Sequence, residues 1–207
     1  MGRAYYSDSI LSFLTAKEDH VLGRLMIEDS FRTEDTQKNT WRTEIQFLKD
    51  QLVSFATGEI AFEFTIPRIG HRVDVVLIIQ GIIFLLEFKV GDTTYAKSTK
   101  DQVMDYALDL KYFHEASRDR TIVPIIVPTE ADEQVNTLSL MEDKIAQVLC
   151  CNRHNIGSTI RSVRSQMYAE PLEWIPGWMR AMHRRRPSLR RHRHSIVSTL
   201  CATYRAM

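Results

Sequence analysis

Residues 73–90 read VDVVLIIQGIIFLLEFKV. Two apolar runs, Val73 to Ile79 and Ile82 to Phe88, flank Gln80-Gly81. Both are rich in β-branched and aromatic residues, which pack well on a pleated sheet. The short Gly-containing break predicts a hairpin. A two-residue turn pairs Ile79 with Ile82, and the same register carries Asp74 opposite Glu87 and Arg72 opposite Lys89. Side chains alternate between faces. One face is wholly apolar: Val73, Val75, Leu77 and Ile79 against Ile82, Phe84, Leu86 and Phe88. The other holds Val76, Ile78, Ile83 and Leu85, with Arg72, Asp74, Glu87 and Lys89 gathered at one end. Strands apolar on both faces belong inside a covered sheet.

This register sets two carboxylates side by side at the mouth of a core, their Cβ atoms about 5 Å apart. They repel, and desolvating an unpaired carboxylate is expensive. A proton, a cationic side chain or a metal must compensate. Hard oxygen donors at this spacing suit Mg²⁺ or Mn²⁺. The same residues equally fit a structural ion network in which Arg72 and Lys89 neutralise Asp74 and Glu87.

Working outward, Ser7 or Ser9 caps a short helix through Ile10, Leu11, Phe13 and Leu14, and a second helix runs from Lys17 to Phe31. Thr33 to Asn39 reads as a polar linker. A longer helix starts at Asn39 or Thr40 and ends at Gly58, with Trp41, Ile45, Leu48, Leu52 and Phe55 as its core stripe. Glu44 borders that stripe, either as a rim carboxylate or reaching the core edge. Glu59 to Ile66 alternates as a strand, with Glu63 turned to solvent. Pro67 to His71 is a turn, and His71 reads as a loop residue or, alternatively, a ligand. A helix is expected over Ala96 to His114, with Gln102, Tyr106, Asp109 and Phe113 on one face. Gln102 and Tyr106 therefore project together, as a polar rim or as a pair able to contact phosphate or base edges. Thr121 to Val127 is a strand whose Pro124 predicts an edge or a bulge. Ile145 to Cys151 and Ile156 to Met167 suggest a further strand and helix. The order of elements predicts an α/β sandwich with a mixed central sheet flanked by helices.

The chain has 207 residues, 44% of them hydrophobic and 26% charged, which are globular values. Its net charge of +1 conceals an asymmetry. Residues 179–207 hold eight of the 27 Lys and Arg and no acid, leaving the first 178 with 19 basic and 26 acidic side chains. The body is acidic and the tail basic. Cys150, Cys151 and Cys201 form neither a disulfide framework nor a zinc spacing, and Cys150-Cys151 reads as core. No signal-peptide pattern and no membrane-spanning run is evident, so a reducing cytoplasm is expected.

Glu44 on a helix, Asp74 on a strand, Glu87-Phe88-Lys89 and Gln102-x-x-x-Tyr106 together resemble the PD-(D/E)XK nuclease superfamily, in its RecB-like Q-x-x-x-Y branch. The segments WRTEIQFLK, FTIPRIGHRVDVVL, LLEFKVG, DQVMDYALDLKYFHEAS and IVPIIVPT are similar to one bacterial group. Its members carry such a region ahead of a Schlafen-group-3-type DNA/RNA helicase. The likeness covers roughly residues 5–175. Val73 stands where the family name has proline, and no Walker motif follows.

The resemblance implies a restriction-endonuclease-like fold over residues 1–175 and a metal-dependent nuclease acting on DNA in a bacterial cytoplasm. It is also compatible with a truncated nuclease-helicase. It assigns Asp74, Glu87 and the Phe88 backbone carbonyl to Mg²⁺ or Mn²⁺, with Glu44 holding the ion through water or a second site. Lys89 would orient or deprotonate the attacking water or stabilise charge on the phosphorane-like transition state, and Gln102 and Tyr106 would position the strand or the Lys89 region. The alternative is a non-cleaving module that binds nucleic acid or docks onto a helicase or defence partner. In the tail, residues 176–207, the run holding Arg184, Arg185, Arg186, Arg190, Arg191 and Arg193 reads as a phosphate-binding arm or as an end without function.

Overall fold

In the computed structural model, which describes residues 4–29, 35–66 and 70–167, the strands of a six-stranded mixed sheet stand side by side in chain order. They are β1 (Tyr6–Ser9), β2 (Glu59–Thr65), β3 (Arg72–Ile79), β4 (Ile82–Lys89), β5 (Ile122–Pro128) and β6 (Leu149–Cys150). β1 to β4 are antiparallel; β5 and β6 run parallel to β4. Helices α1 (Ile10–Thr15), α2 (Glu18–Glu28), α3 (Asp35–Gln51), α4 (Lys97–Phe113) and α5 (Ile156–Gln166) flank it. The α/β architecture with a mixed sheet agrees with the expectation from sequence. The expected Pro67–His71 turn is only partly within the described residues, and Cys201 and the Arg-rich tail lie outside them.

Two apolar layers hold the fold. On one face Trp41, Ile45 and Leu48 of α3 and Ile156, Ile160 and Val163 of α5 cover Phe62, Val75, Leu77, Phe84 and Leu86. On the other, Val103, Ala107 and Leu110 of α4 cover Val76, Ile78, Ile83 and Leu85. Strands β3 and β4 are buried on both sides, which explains their nearly unbroken hydrophobicity.

The hairpin register runs from Ile79 opposite Ile82 to Val75 opposite Leu86. Gln80 and Gly81 both have positive φ, 50° and 79°, the type I′ geometry that matches strand twist. Ser9 caps α1 by accepting the Ser12 amide at 3.0 Å.

Some boundaries differ from the sequence reading. β1 has the polar sequence YSDS and no alternating pattern; as an edge strand it needs only the ladder to β2. α3 starts at Asp35, where an Asp35–Lys38 ion pair of 3.0 Å braces its first turn, and ends at Gln51. Leu52 and Phe55 stay buried in the turn that follows. β5 is not an edge despite Pro124. Ile122 and Ile126 make their outward bonds to the β6 side, and Pro124, of the same parity, faces the break between Ala146 and Leu149 where that ladder lapses. Its missing N–H is never called for.

Candidate functional site

β3 and β4 separate beyond the Val75–Leu86 pair. Arg72 and Val73 continue against β2, while Glu87, Phe88 and Lys89 continue against β5. The Phe88 amide donates to Asp74 Oδ2 at 2.8 Å, so a side chain ends the ladder. Val73 has the parity of Val75 yet packs in the opposite layer, and Phe64 does the same relative to Phe62. The intended apolar face thus breaks at Val73, because the β2–β3 ribbon turns over as it leaves β4. The reversal in β2 occurs at Glu63, whose φ is +53°. The sheet forks, and the fork is lined by acids.

Asp74 enters from β3 and Glu87 from β4; Glu44 arrives from α3 beneath the sheet. Glu44 is 3% and Glu87 2% exposed. From the other layer Gln102 Nε2 donates to Glu87 Oε1 at 2.8 Å and to the Tyr106 hydroxyl at 2.6 Å. Lys89 Nζ also meets Glu87 Oε1 at 2.8 Å. Helical i, i+4 spacing places Gln102 beside Tyr106, and strand alternation places Lys89 on the face of Glu87.

The structure also draws in an acid that sequence reasoning turned to solvent. Glu63 is 5% exposed. Trp41 Nε1 donates to its Oε1 at 2.7 Å, and Arg72 Nε meets its Oε2 at 2.7 Å. The simple ion network is therefore not formed: Lys89 pairs with Glu87, but Arg72 pairs with Glu63 and not with Asp74. Alternation alone could not locate Glu63, because the strand reverses at that residue. The one signal was a lone acid between Phe62 and Phe64. His71 lies at the rim, its Nδ1 3.6 Å from Asp109 Oδ2 and its ring centroid 5.7 Å from that of Tyr106.

Electrostatics follows from this crowding. Burial, then the charges of Asp74, Glu63 and Glu87, push the Glu44 carboxyl well above the usual carboxylate range. Burial, then Glu87, does the same to Asp74 against the opposing Phe88 amide. Burial raises Glu87, with the bond and charge of Lys89, and a side-chain hydrogen bond shared with Asp74, opposing. Burial also raises Glu63, with Trp41 and Arg72 opposing. For Lys89, burial pulls the pKa down, but the bond to Glu87 and the charges of Glu87 and Asp74 outweigh it and the ammonium is held above its ordinary value.

Glu44 Oε2 and Glu87 Oε2 are buried and meet no N–H or hydroxyl donor, and the Glu87 carboxyl lies against that of Asp74. Two unserved carboxylate oxygens beside a third acid form a hard donor set that suits Mg²⁺ or Mn²⁺. Among the described residues no group of three or more His, Cys, Asp or Glu side chains is already arranged to hold a metal. The donor chemistry fits; the acids would have to draw closer around the ion. Phe88 is tied to the fork through its amide.

A separate surface cavity of about 360 Å³, lined by residues including Val135, Asn136, Ser158 and Ser162, contains none of these side chains. Among the described residues, no helix is long and apolar enough to cross a membrane.

Fold and site define an α/β protein whose mixed sheet parts around a buried acidic cluster with one lysine. No family model, curated protein or solved structure matches the chain.

Proposed function

We propose that this is a metal-dependent nuclease of the bacterial cytoplasm that hydrolyses phosphodiester bonds in DNA. One observation carries the reading: Glu44 and Glu87 each keep a buried oxygen without a donor, facing a cluster that already holds Asp74 and Lys89. Leaving such groups unserved is costly, and a divalent cation would relieve both the missing bonds and the repulsion. Asp74, Glu87 and Glu44, with the Phe88 carbonyl, would hold it. A bound Mg²⁺ or Mn²⁺ supplies polarisation of the phosphate and a more acidic water.

The chain's own residues do the rest. Lys89 remains an ammonium and stabilises negative charge gathering on the phosphate oxygens. It can also hold the attacking water through a hydrogen bond. Gln102 fixes the Glu87 carboxylate and is itself fixed by Tyr106, which keeps the second oxygen of Glu87 turned into the fork. The paired helix and strand elements pre-set these positions before substrate arrives.

Asp74→Asn, which keeps an acceptor for the Phe88 amide, and Lys89→Ala should each abolish Mn²⁺-dependent cleavage of plasmid and linear DNA while far-UV circular dichroism stays that of the wild type. Cleavage at wild-type rates in both variants rejects the proposal.

A second reading is a non-cleaving nuclease-fold module that binds nucleic acid or docks onto a helicase or defence partner. The closure of both Lys89 and Gln102 onto one oxygen of Glu87 favours it, since Lys89 already offsets that carboxylate's charge and Gln102 hydrogen-bonds it. Calorimetric titration with Mn²⁺ separates the two: absence of binding together with retained DNA binding selects the inert module.

A further inference from the structure

The geometry points to Arg72 as the contact that seats a phosphate of the substrate strand beside the acidic cluster, held in place for this by Glu63, Trp41 and Tyr5. The inference rests on the nuclease reading and adds a substrate subsite to it.

Arg72 lies two residues before Asp74 on β3, at the open side of the fork. Two steps along a strand span about 7 Å, comparable to the step between neighbouring phosphates on an extended nucleic-acid strand. Its Nε meets Glu63 Oε2 at 2.7 Å, its Nη1 donates to the Tyr5 hydroxyl, and its guanidinium carbon stands 4.9 Å from the Tyr5 ring centroid. The Arg72 side chain remains 46% exposed. A guanidinium has further N–H donors beyond those two contacts, and its planar fork matches the paired oxygens of a phosphate.

The support behind it is buried and hydrogen-bonded. Glu63 has both oxygens engaged, one by Arg72 and one by the indole of Trp41, which is 1% exposed. Tyr5 packs edge-on against Trp41, ring centroids 6.4 Å apart. Glu63 itself is held at φ +53°. A non-glycine residue there is strained, and its carboxylate is buried as well. With one oxygen fixed by the Trp41 indole, the other oxygen of Glu63 is left to orient the Arg72 guanidinium. Among the described residues, Arg72 stands as a cation on the β3 arm of the fork and Lys89 as one on the β4 arm.

The test is equilibrium binding of a short fluorescent DNA duplex, and of its single strand, in Ca²⁺ at several salt concentrations, alongside Mn²⁺-dependent cleavage. Arg72→Gln should lower the slope of log affinity against log salt by about 0.9 for the duplex and about 0.7 for the single strand. It should raise KM about tenfold and leave kcat within about twofold, the signature of a lost binding contact. Arg72→Lys should keep the slope and lose only part of the affinity, since one point charge replaces the fork. Glu63→Gln should give an intermediate KM. A merely structural Arg72 would shift the melting temperature and leave slope and KM unchanged, in the Gln or the Lys variant; that result overturns the subsite while wild-type cleavage keeps the nuclease reading. A fall in slope in a protein that never cleaves supports the subsite and rejects the nuclease reading. Failure of the wild type to bind either DNA overturns both.

Discussion

The Phe88 amide donates to the Asp74 carboxylate at 2.8 Å, and with that bond the β3–β4 ladder ends. A side-chain oxygen stands in for the backbone acceptor that pairing would have supplied. The strands can then diverge without leaving a buried N–H unserved. The divergence admits Glu44 from one layer to the same space as Glu87 and Gln102 from the other.

The acidic cluster makes metal-free stability depend on pH in a set direction. Glu44 and Asp74 titrate higher in the folded chain than in the unfolded one, chiefly through burial. Their contribution is complete below the unfolded carboxyl range, about pH 4, and is lost as pH rises through the folded values. Glu44→Gln removes one of these acids. It should raise the metal-free melting temperature by about 2–4 °C at about pH 8, the equivalent of about 1 kcal/mol, with no gain near pH 4. Mn²⁺ should stabilise the wild type at the higher pH and the variant much less. Thermal melts across pH, with and without Mn²⁺, check both arms.

Trp41 is the inner anchor of Glu63, through an indole bond of 2.7 Å. Trp41→Phe keeps the ring in the core but leaves a buried carboxylate oxygen without its donor. The expected loss is about 1–3 kcal/mol in urea unfolding. A loss under about 0.5 kcal/mol would show that the bond does not hold Glu63.

Gly58 enters β2 with φ +137°, and a Cβ there would lie 2.7 Å from the Ile78 carbonyl oxygen and 2.8 Å from Ile10 Cδ1. Gly58→Ala therefore combines backbone strain with overpacking and should destabilise by about 2 kcal/mol or more. Gly23, inside α2, has nothing within 4 Å of the same built atom. Gly23→Ala should instead stabilise by about 0.5–1 kcal/mol. Paired thermal melts of the two variants give shifts of opposite sign.

Periodicity was enough to place β2, β3, β4, α4 and α5, because each buries a face whose spacing is written in its apolar residues. The hairpin register was legible from the turn to Val75–Leu86, because a two-residue Gly turn leaves one pairing that covers those apolar side chains; its expected continuation to Asp74–Glu87 and Arg72–Lys89 is not formed, because the strands part there. β1 was not legible, since an edge strand held by ladder bonds needs no apolar pattern. Pro124 misled because only the gap between Ala146 and Leu149 tells that an interior strand can tolerate it.

For the site, the local spacings in Glu87-Phe88-Lys89 and Gln102-x-x-x-Tyr106 were visible, as they depend on one strand or one helix. Whether Glu44 stood at the rim or in the core was open, and burial of that carboxyl was decided by where α3 lies under the fork. Glu63 and Arg72 were decided entirely by the tertiary structure. Their partnership needs a strand that reverses its faces at one residue, a change of φ that leaves no mark on hydrophobic alternation. Sequence by itself determined which residues could carry chemistry and which faces they had to share within an element. Only packing of one layer against another chose the acids that meet, because a charge is buried or solvated by its neighbours in space, and those come from distant parts of the chain.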